Sequence, residues 1–166
     1  MRRAGFLVVA ATVAAVISGM DGAAVPVINA AQEKKPYPIF TLEHFTAAMK
    51  TSAQAFNAVN ATLPTGPIGP DKASDAKAYL AISRDRLATT ITFWRDRKRD
   101  DAIKMLRDVL NKMDALDEAL SVDSVDPAAV SGITKQIGTA CQACHQVYRE
   151  QDPVTKAYRV KGETAR

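Results

Sequence analysis

The sequence is poor in the residues that mark several specialised classes of protein. It contains only two cysteines, so no disulfide framework holds the fold and the chain must form an ordinary hydrophobic core. Aromatic residues make up 6% of the chain, and no stripe of Lys and Arg is interleaved with them, which argues against a nucleic-acid-binding surface. The net charge of +4 is mildly basic and is compatible with an acidic protein partner.

A single long apolar run lies near the start of the sequence. Arg2 and Arg3 precede the uncharged, Ala- and Val-rich segment 4–20, and small residues follow it as a cleavage site. This pattern predicts a secretory signal peptide over residues 1–31. An uncleaved anchor is the alternative, although the run is at the short limit for crossing a bilayer. We therefore expect an exported protein with no membrane attachment after the signal is removed.

Both cysteines and one of the two histidines fall in the segment Cys141-Gln142-Ala143-Cys144-His145. On a helix that advances about 100° per residue, the two thiols and the imidazole share one face, with Tyr148 and Arg149 near the same direction. C-x-x-C-H is the attachment pattern of a c-type haem, in which each thiol adds to a porphyrin vinyl group and the histidine takes the proximal position on iron. The motif predicts one covalently bound haem c.

Two other interpretations of the two cysteines are weaker. A redox C-x-x-C pair expects a strand and a β-α-β context, and a zinc site needs more thiols or histidines than the sequence offers. Haem attachment of this kind takes place outside the cytoplasm in most bacteria, so the motif and the signal peptide both predict a periplasmic protein.

The first two helices are predicted after an extended lead-in at residues 32–40. Thr41 is expected to cap the first helix, whose apolar positions recur every three or four residues as far as Leu63. The prolines and glycines of 64–70 end it. Asp71 is expected to cap the second helix, which ends near 97–99 without a glycine or proline to mark the boundary.

The third and fourth helices carry the rest of the predicted domain, residues 41–153. Asp100 or Asp101 is expected to cap the third, and the fourth begins at Asp126-Pro127, carries the haem motif and ends at Pro153. The polar tail, 154–166, is expected to be loose. The predicted inward positions of the second helix are Ala73, Ala76, Leu80, Ser83, Leu87, Thr90 and Trp94, and those of the third are Ile103, Leu106, Leu110, Met113, Leu116 and Leu120.

Four amphipathic helices with mostly short connections predict an all-α fold, an antiparallel up-down-up-down four-helix bundle with covalently attached haem. Met49 lies about 12 Å into the first helix and His145 about 9 Å before the end of the fourth, so antiparallel neighbours would hold them in one layer. The residues expected to wall the haem in that layer are Ile91, Trp94, Ile103 and Leu106. A tetratricopeptide-like helix pair over 73–120 is a weaker alternative, because no further repeat is present.

A C-x-x-C-H motif on the last helix, followed by Tyr148 and Arg149, resembles the class II c-type cytochromes, the cytochrome c-prime family, over about residues 40–152. The resemblance implies that Met49 is the distal iron ligand of a low-spin, His/Met electron carrier. Family members with a non-ligating residue there leave the iron five-coordinate and bind nitric oxide or carbon monoxide. The alternative for Met49 is a plain core position. His44 is expected to face solvent, and Met105 and Met113 to lie in the core.

The sequence departs from the family in one respect: many members carry an arginine that pairs with a haem propionate where this chain has Phe45. Arg149 is one candidate replacement, and the others are Arg95, Arg97, Lys98 and Arg99. Phe45 and Trp94 are expected beside the porphyrin. The resemblance implies a one-electron carrier with unidentified redox partner proteins and a possible homodimer. Peroxidase activity is not expected, because Phe45, Met49 and alanines provide no distal acid or base.

Overall fold

The computed structural model describes residues 41–63 and 65–163, which are mostly helical with one small two-stranded sheet. The predicted signal peptide, the lead-in and the last three residues of the tail lie outside the described residues. The elements are α1 (Leu42–Thr62), α2 (Pro70–Thr89), α3 (Ile91–Asp96), α4 (Asp100–Ala119), α5 (Pro127–Tyr148), β1 (Arg149–Gln151) and β2 (Tyr158–Val160). No helix in this part of the chain is long and apolar enough to cross a membrane.

Local capping chemistry sets two of the helix starts as predicted. The Thr41 hydroxyl accepts a hydrogen bond from the backbone N–H of His44 at 3.2 Å, and the Asp126 carboxylate accepts one from Ala128 at 2.9 Å. The predicted cap at Asp71 is wrong, because Gly69 is the cap residue of α2. Pro70 takes the first helical position, where its fixed φ suits the helix and its missing N–H costs nothing. The predicted cap at Asp100 or Asp101 is also wrong, because Arg99 is the cap residue of α4 and makes no side-chain capping bond.

The second predicted helix is broken at Thr90, whose buried hydroxyl donates to the Leu87 carbonyl at 2.6 Å. The short α3 then ends at a Schellman-type turn centred on Lys98, which has the left-handed φ of 53°. The Lys98 N–H bonds the Arg95 carbonyl and the Arg99 N–H bonds the Trp94 carbonyl, each at 3.0 Å. A lysine thus occupies a position at which glycine is usual.

The C-terminal segment forms a β-ribbon, so the prediction that it is loose is wrong for the described residues 154–163. α5 ends at Tyr148 rather than Pro153, and β1 pairs antiparallel with β2. The Asp152 carboxylate accepts the backbone N–H groups of Val154 and Thr155 at 2.9 and 2.8 Å, which shapes the turn between the strands. Val160 is buried at the end of β2 and attaches the ribbon to the core.

Helix packing follows the predicted stripes, because all of the predicted inward positions of the second and third helices are buried. α1 packs along α2, α4 packs along α5, and α2 and α4 join the two pairs. Two reciprocal hydrogen bonds link α1 to α2: the Ser52 hydroxyl donates to the Ser83 carbonyl at 3.0 Å, and the Ser83 hydroxyl donates to the Ser52 carbonyl at 2.9 Å. A cavity lined by both α1 and α5 separates these two helices.

Candidate functional site

The C-x-x-C-H motif lies in the last turns of α5, on the wall of this cavity. Cys141, Cys144 and His145 are half-buried and Tyr148 is buried, and all four line the cavity together. They share this face because three- and four-residue steps return to the same side of a helix. The cavity encloses about 560 Å³, within the range of small-molecule and cofactor sites.

α1 forms another wall of the cavity, and Met49 is half-buried on it. The structure therefore brings Met49 to the same cavity as the cysteines and His145. His44 is exposed and Met105 packs against the core outside the cavity lining, as predicted for both. Met113 on α4 is buried as predicted, but it also lines the cavity, so the cavity wall holds a second thioether.

Aromatic side chains form a cluster at the cavity wall. Phe45 stacks on Phe93 with ring centroids 4.1 Å apart, Trp94 meets both rings edge-on, and Trp94 lies 4.8 Å from Tyr148. Phe45 and Trp94 were predicted at the site. Phe93, which supports both rings, was not predicted, because it lies off the three-four stripe that selected Trp94.

Two of the predicted wall residues lie outside the cavity lining. Trp94 and Leu106 line it, but Ile103 instead lines a separate surface pocket and Ile91 packs against the core. The turn at Lys98, between α3 and α4, separates Ile103 from the helix that carries Trp94.

The charged residues on the cavity wall are cationic. Lys50, Arg149 and Arg159 line it together with His145, and no Asp or Glu within the described residues does so. Arg149 was the first predicted candidate for binding an anionic group. Lys50 and Arg159 were missed, and Arg159 was missed because it lies in the tail that was predicted to be loose.

The other predicted cations are engaged elsewhere. Arg97 pairs with Glu163 at 2.6 Å, and Arg99 pairs with Asp101 at 3.2 Å. Arg95 lines the separate surface pocket, and Lys98 forms the exposed turn before α4. None of these four residues lines the cavity that holds the cysteines.

His145 has a basic neighbour that affects its protonation. A terminal nitrogen of Arg149 lies 3.4 Å from His145 Nδ1, and the Arg149 guanidinium lies 3.5 Å from the centre of the Tyr158 ring. Burial, and then the charge of Arg149, lower the pKa of His145. The imidazole is therefore held in the neutral form, which is the form that binds metals.

The two thiols are held in the protonated form. Burial raises the pKa of Cys141, and burial together with Cys141 and Asp101 raises the pKa of Cys144 to about 11. Catalytic redox pairs show the opposite shift, because they need a thiolate at neutral pH. In the part of the chain that the structure describes, no group of three or more His, Cys, Asp or Glu side chains is placed to hold a metal ion.

Tyr148 joins the end of α5 to the start of α4 through a polar network. Its hydroxyl donates to Asp101 and accepts a hydrogen bond from Arg99 at 3.0 Å. Arg99, and then Tyr148, hold the pKa of Asp101 below its usual range, while burial and the bond to Asp101 raise the pKa of Tyr148. The network holds the phenol against the cavity and keeps it protonated.

Comparison with protein-family models, with characterised proteins and with solved structures found no match. The interpretation of the site therefore depends on its own chemistry: a largely apolar cavity with two neutral thiols, a neutral imidazole, two thioethers and three cations on its wall.

Proposed function

We propose that this chain is a periplasmic c-type cytochrome that carries one electron on a covalently attached haem. The observation that carries the proposal is that Cys141, Cys144, His145 and Met49 line the same cavity. A motif on one helix supplies the two attachment thiols and one iron ligand, and a second helix supplies a thioether to the same cavity. Histidine and methionine together are a recognised axial pair for haem iron in electron-transfer proteins.

The lining of the cavity fits a haem. Haem has a flat apolar body with two carboxylates at one edge, and the cavity combines apolar and aromatic walls with three cations. A neutral imidazole is the species that ligates iron. These features support the proposal independently of the C-x-x-C-H spacing.

Each side chain has a distinct role in this proposal. Cys141 and Cys144 form the thioether bonds, His145 is the proximal ligand and Met49 is the distal ligand. The residues that would pack on or beside the porphyrin are Phe45, Trp94, Tyr148 and Arg149. Bound haem supplies a one-electron Fe(III)/Fe(II) couple, and methionine ligation raises its potential relative to harder axial ligands.

The proposed architecture is an antiparallel up-down-up-down four-helix bundle built from α1, α2, α4 and α5, with α3 and the ribbon as additions. The packing of α1 on α2 and of α4 on α5 supports it. This arrangement resembles that expected for a class II c-type cytochrome. We further propose that the electron passes to and from partner proteins, that the first 31 residues export the chain, and that a homodimer is compatible with such a bundle.

The test is to produce the full chain with a haem-attachment system and to examine the purified protein by mass spectrometry, optical absorption and electron paramagnetic resonance. We expect one covalent haem, a low-spin iron in both oxidation states and recovery in the periplasmic fraction. A chain that matures without covalent haem would overturn the proposal. A high-spin ferrous protein that readily binds carbon monoxide would instead identify a five-coordinate binder of nitric oxide or carbon monoxide.

A further inference from the structure

The β-ribbon forms part of the cavity wall. Arg149 at the start of β1 and Tyr158, Arg159 and Val160 of β2 all line the cavity. The ribbon is joined to the end of α5, because the Lys161 N–H donates to the Tyr148 carbonyl at 2.9 Å. The segment that follows the attachment motif thus folds back onto the site that the motif helps to form.

Arg159 is oriented by two carboxylates of the same ribbon. Its Nε donates to Glu150, its partner in the antiparallel register, at 2.7 Å, and Nη1 donates to Asp152 at 3.3 Å. Nη2 has no hydrogen-bond partner among the described residues. A planar guanidinium fixed on one side in this way keeps donors for a further carboxylate, and Arg binds carboxylates through such paired donors.

The other two cations on the wall are less suited to this role. The Arg149 guanidinium lies over the Tyr158 ring and beside His145, so it belongs to the immediate surroundings of the proposed proximal ligand. Lys50 is exposed and has no ion-pair partner among the described residues, so no contact fixes its flexible side chain.

We propose that Arg159 binds a carboxylate of the ligand in the cavity, and that the C-terminal ribbon serves to position it. This inference rests on the proposed function, in which that carboxylate is a haem propionate. Glu150 and Asp152 then act as positioning residues, because they orient the guanidinium without lining the cavity themselves.

The test measures the reduction potential of the haem-loaded full-length protein. Removing a cation near the haem stabilises the more positive oxidised iron, so Arg159→Gln is expected to lower the potential. Glu150→Gln breaks the same ion pair but removes a negative charge, so it is expected to raise the potential. A shift in the same direction for both variants would overturn the proposal, because it would show that Arg159 only clamps the ribbon.

Lys161→Gln is the matched control. Lys161 is the cation two residues further along the chain, it is exposed, and it is not among the residues that line the cavity. A direct contact between Arg159 and the carboxylate predicts a clearly smaller shift for Lys161→Gln than for Arg159→Gln. Equal shifts of the reduction potential in the two variants would overturn the proposal. They would show that any positive charge on the ribbon affects the haem to the same extent.

Arg159→Lys keeps the inference testable if Arg159→Gln yields little folded protein. The lysine retains the charge but loses the planar fork, so we expect a small lowering of the potential relative to that of the unmodified protein. Unmodified protein without covalent haem would overturn the proposed function and this inference together. Covalent haem with an unchanged potential in Arg159→Gln and Arg159→Lys would overturn only the role of Arg159.

Discussion

The two long walls of the cavity differ in how they are held and in what they contribute. α1 is backed by α2 through small side chains and the Ser52–Ser83 hydrogen bonds, whereas α5 is backed by α4, whose buried side chains are mostly bulky aliphatic residues. α5 supplies two thiols and an imidazole within two helical turns, and α1 supplies the thioether of Met49.

The positions of the site residues on the two walls therefore depend on different interactions. The relative positions of Cys141, Cys144 and His145 depend on helix geometry alone, so they persist wherever α5 is helical. The position of Met49 relative to them depends on how α1 packs on α2 and how the two helix pairs dock. In the proposed cytochrome, the α5 wall therefore determines whether the haem is attached, and the α1 wall determines the state of the iron.

The largest effect is expected from the α5 wall. Replacing both cysteines, Cys141→Ser with Cys144→Ser, should abolish covalent haem, because the sequence contains no other cysteine. Haem staining after denaturing electrophoresis measures this directly. Each single variant should retain at most one thioether bond. Covalent haem in the double variant would show that Cys141 and Cys144 are not the attachment residues.

The α1 wall is expected to control spin state rather than attachment. Met49→Leu removes the thioether at nearly constant volume, so it should retain covalent haem but convert low-spin iron to high-spin iron. Met105→Leu is the control, because Met105 is also half-buried but does not line the cavity. Absorption and electron paramagnetic resonance spectra report the change. Conversion by Met113→Leu instead would assign the ligand to α4.

The attachment of α1 to α2 can be weakened without changing the motif. Ser83→Ala removes one of the two reciprocal hydrogen bonds in a buried contact and should lower the free energy of unfolding by about 1–3 kcal/mol. Urea unfolding measures the loss. Thr51→Ala, which removes only a bond within α1, should stay within about 0.5 kcal/mol of the unmodified protein. Equal losses of unfolding free energy in Ser83→Ala and Thr51→Ala would show that the Ser52–Ser83 contact contributes no more than a hydrogen bond within α1.

The smallest effect is expected where the two helix pairs meet, at the ion pair between Arg84 of α2 and Asp114 of α4. Both side chains are substantially exposed, so Asp114→Asn should cost only about 0.2–1 kcal/mol at neutral pH. Arg84 lowers the pKa of Asp114, so the pair contributes fully above the unfolded-state value of 3.8 and loses its contribution as the pH falls below it.

Unfolding measured from pH 7 to pH 2 tests this dependence. The difference between the unmodified protein and Asp114→Asn should shrink below the unfolded-state pKa. Asp123→Asn provides the comparison, because Asp123 is exposed and forms no ion pair among the described residues. Its difference in unfolding free energy from the unmodified protein should not change in this way. A difference that stays constant with pH would mean that Asp114 stabilises the protein through something other than its charge.

The sequence predicted those features that depend on neighbouring residues. The caps at Thr41 and Asp126 are recognisable because the side chain and the N–H group that it binds are two or three residues apart. The buried stripes of α2 and α4 and the shared face of Cys141 and His145 follow from the helical period in the same way. Each of these predictions needs only one helix.

The features that were missed are not marked by a recognisable sequence signal. The turn at Lys98 carries no glycine or proline, and the β-ribbon forms because two short polar segments pair across a turn. Arg159 reaches the site through the ribbon. Gly69 is the exception, because its role as cap residue was recognisable from the proline that follows it.

Trp94 gives the chain an optical reporter of its own. It is the one tryptophan in the sequence, it is 3% exposed, and it lines the cavity. Indole emission shifts to shorter wavelength when water is excluded, and a coloured chromophore within a few ångströms quenches it by energy transfer. The fluorescence of this one side chain therefore distinguishes unfolded, folded and pigment-filled molecules in a single unlabelled sample.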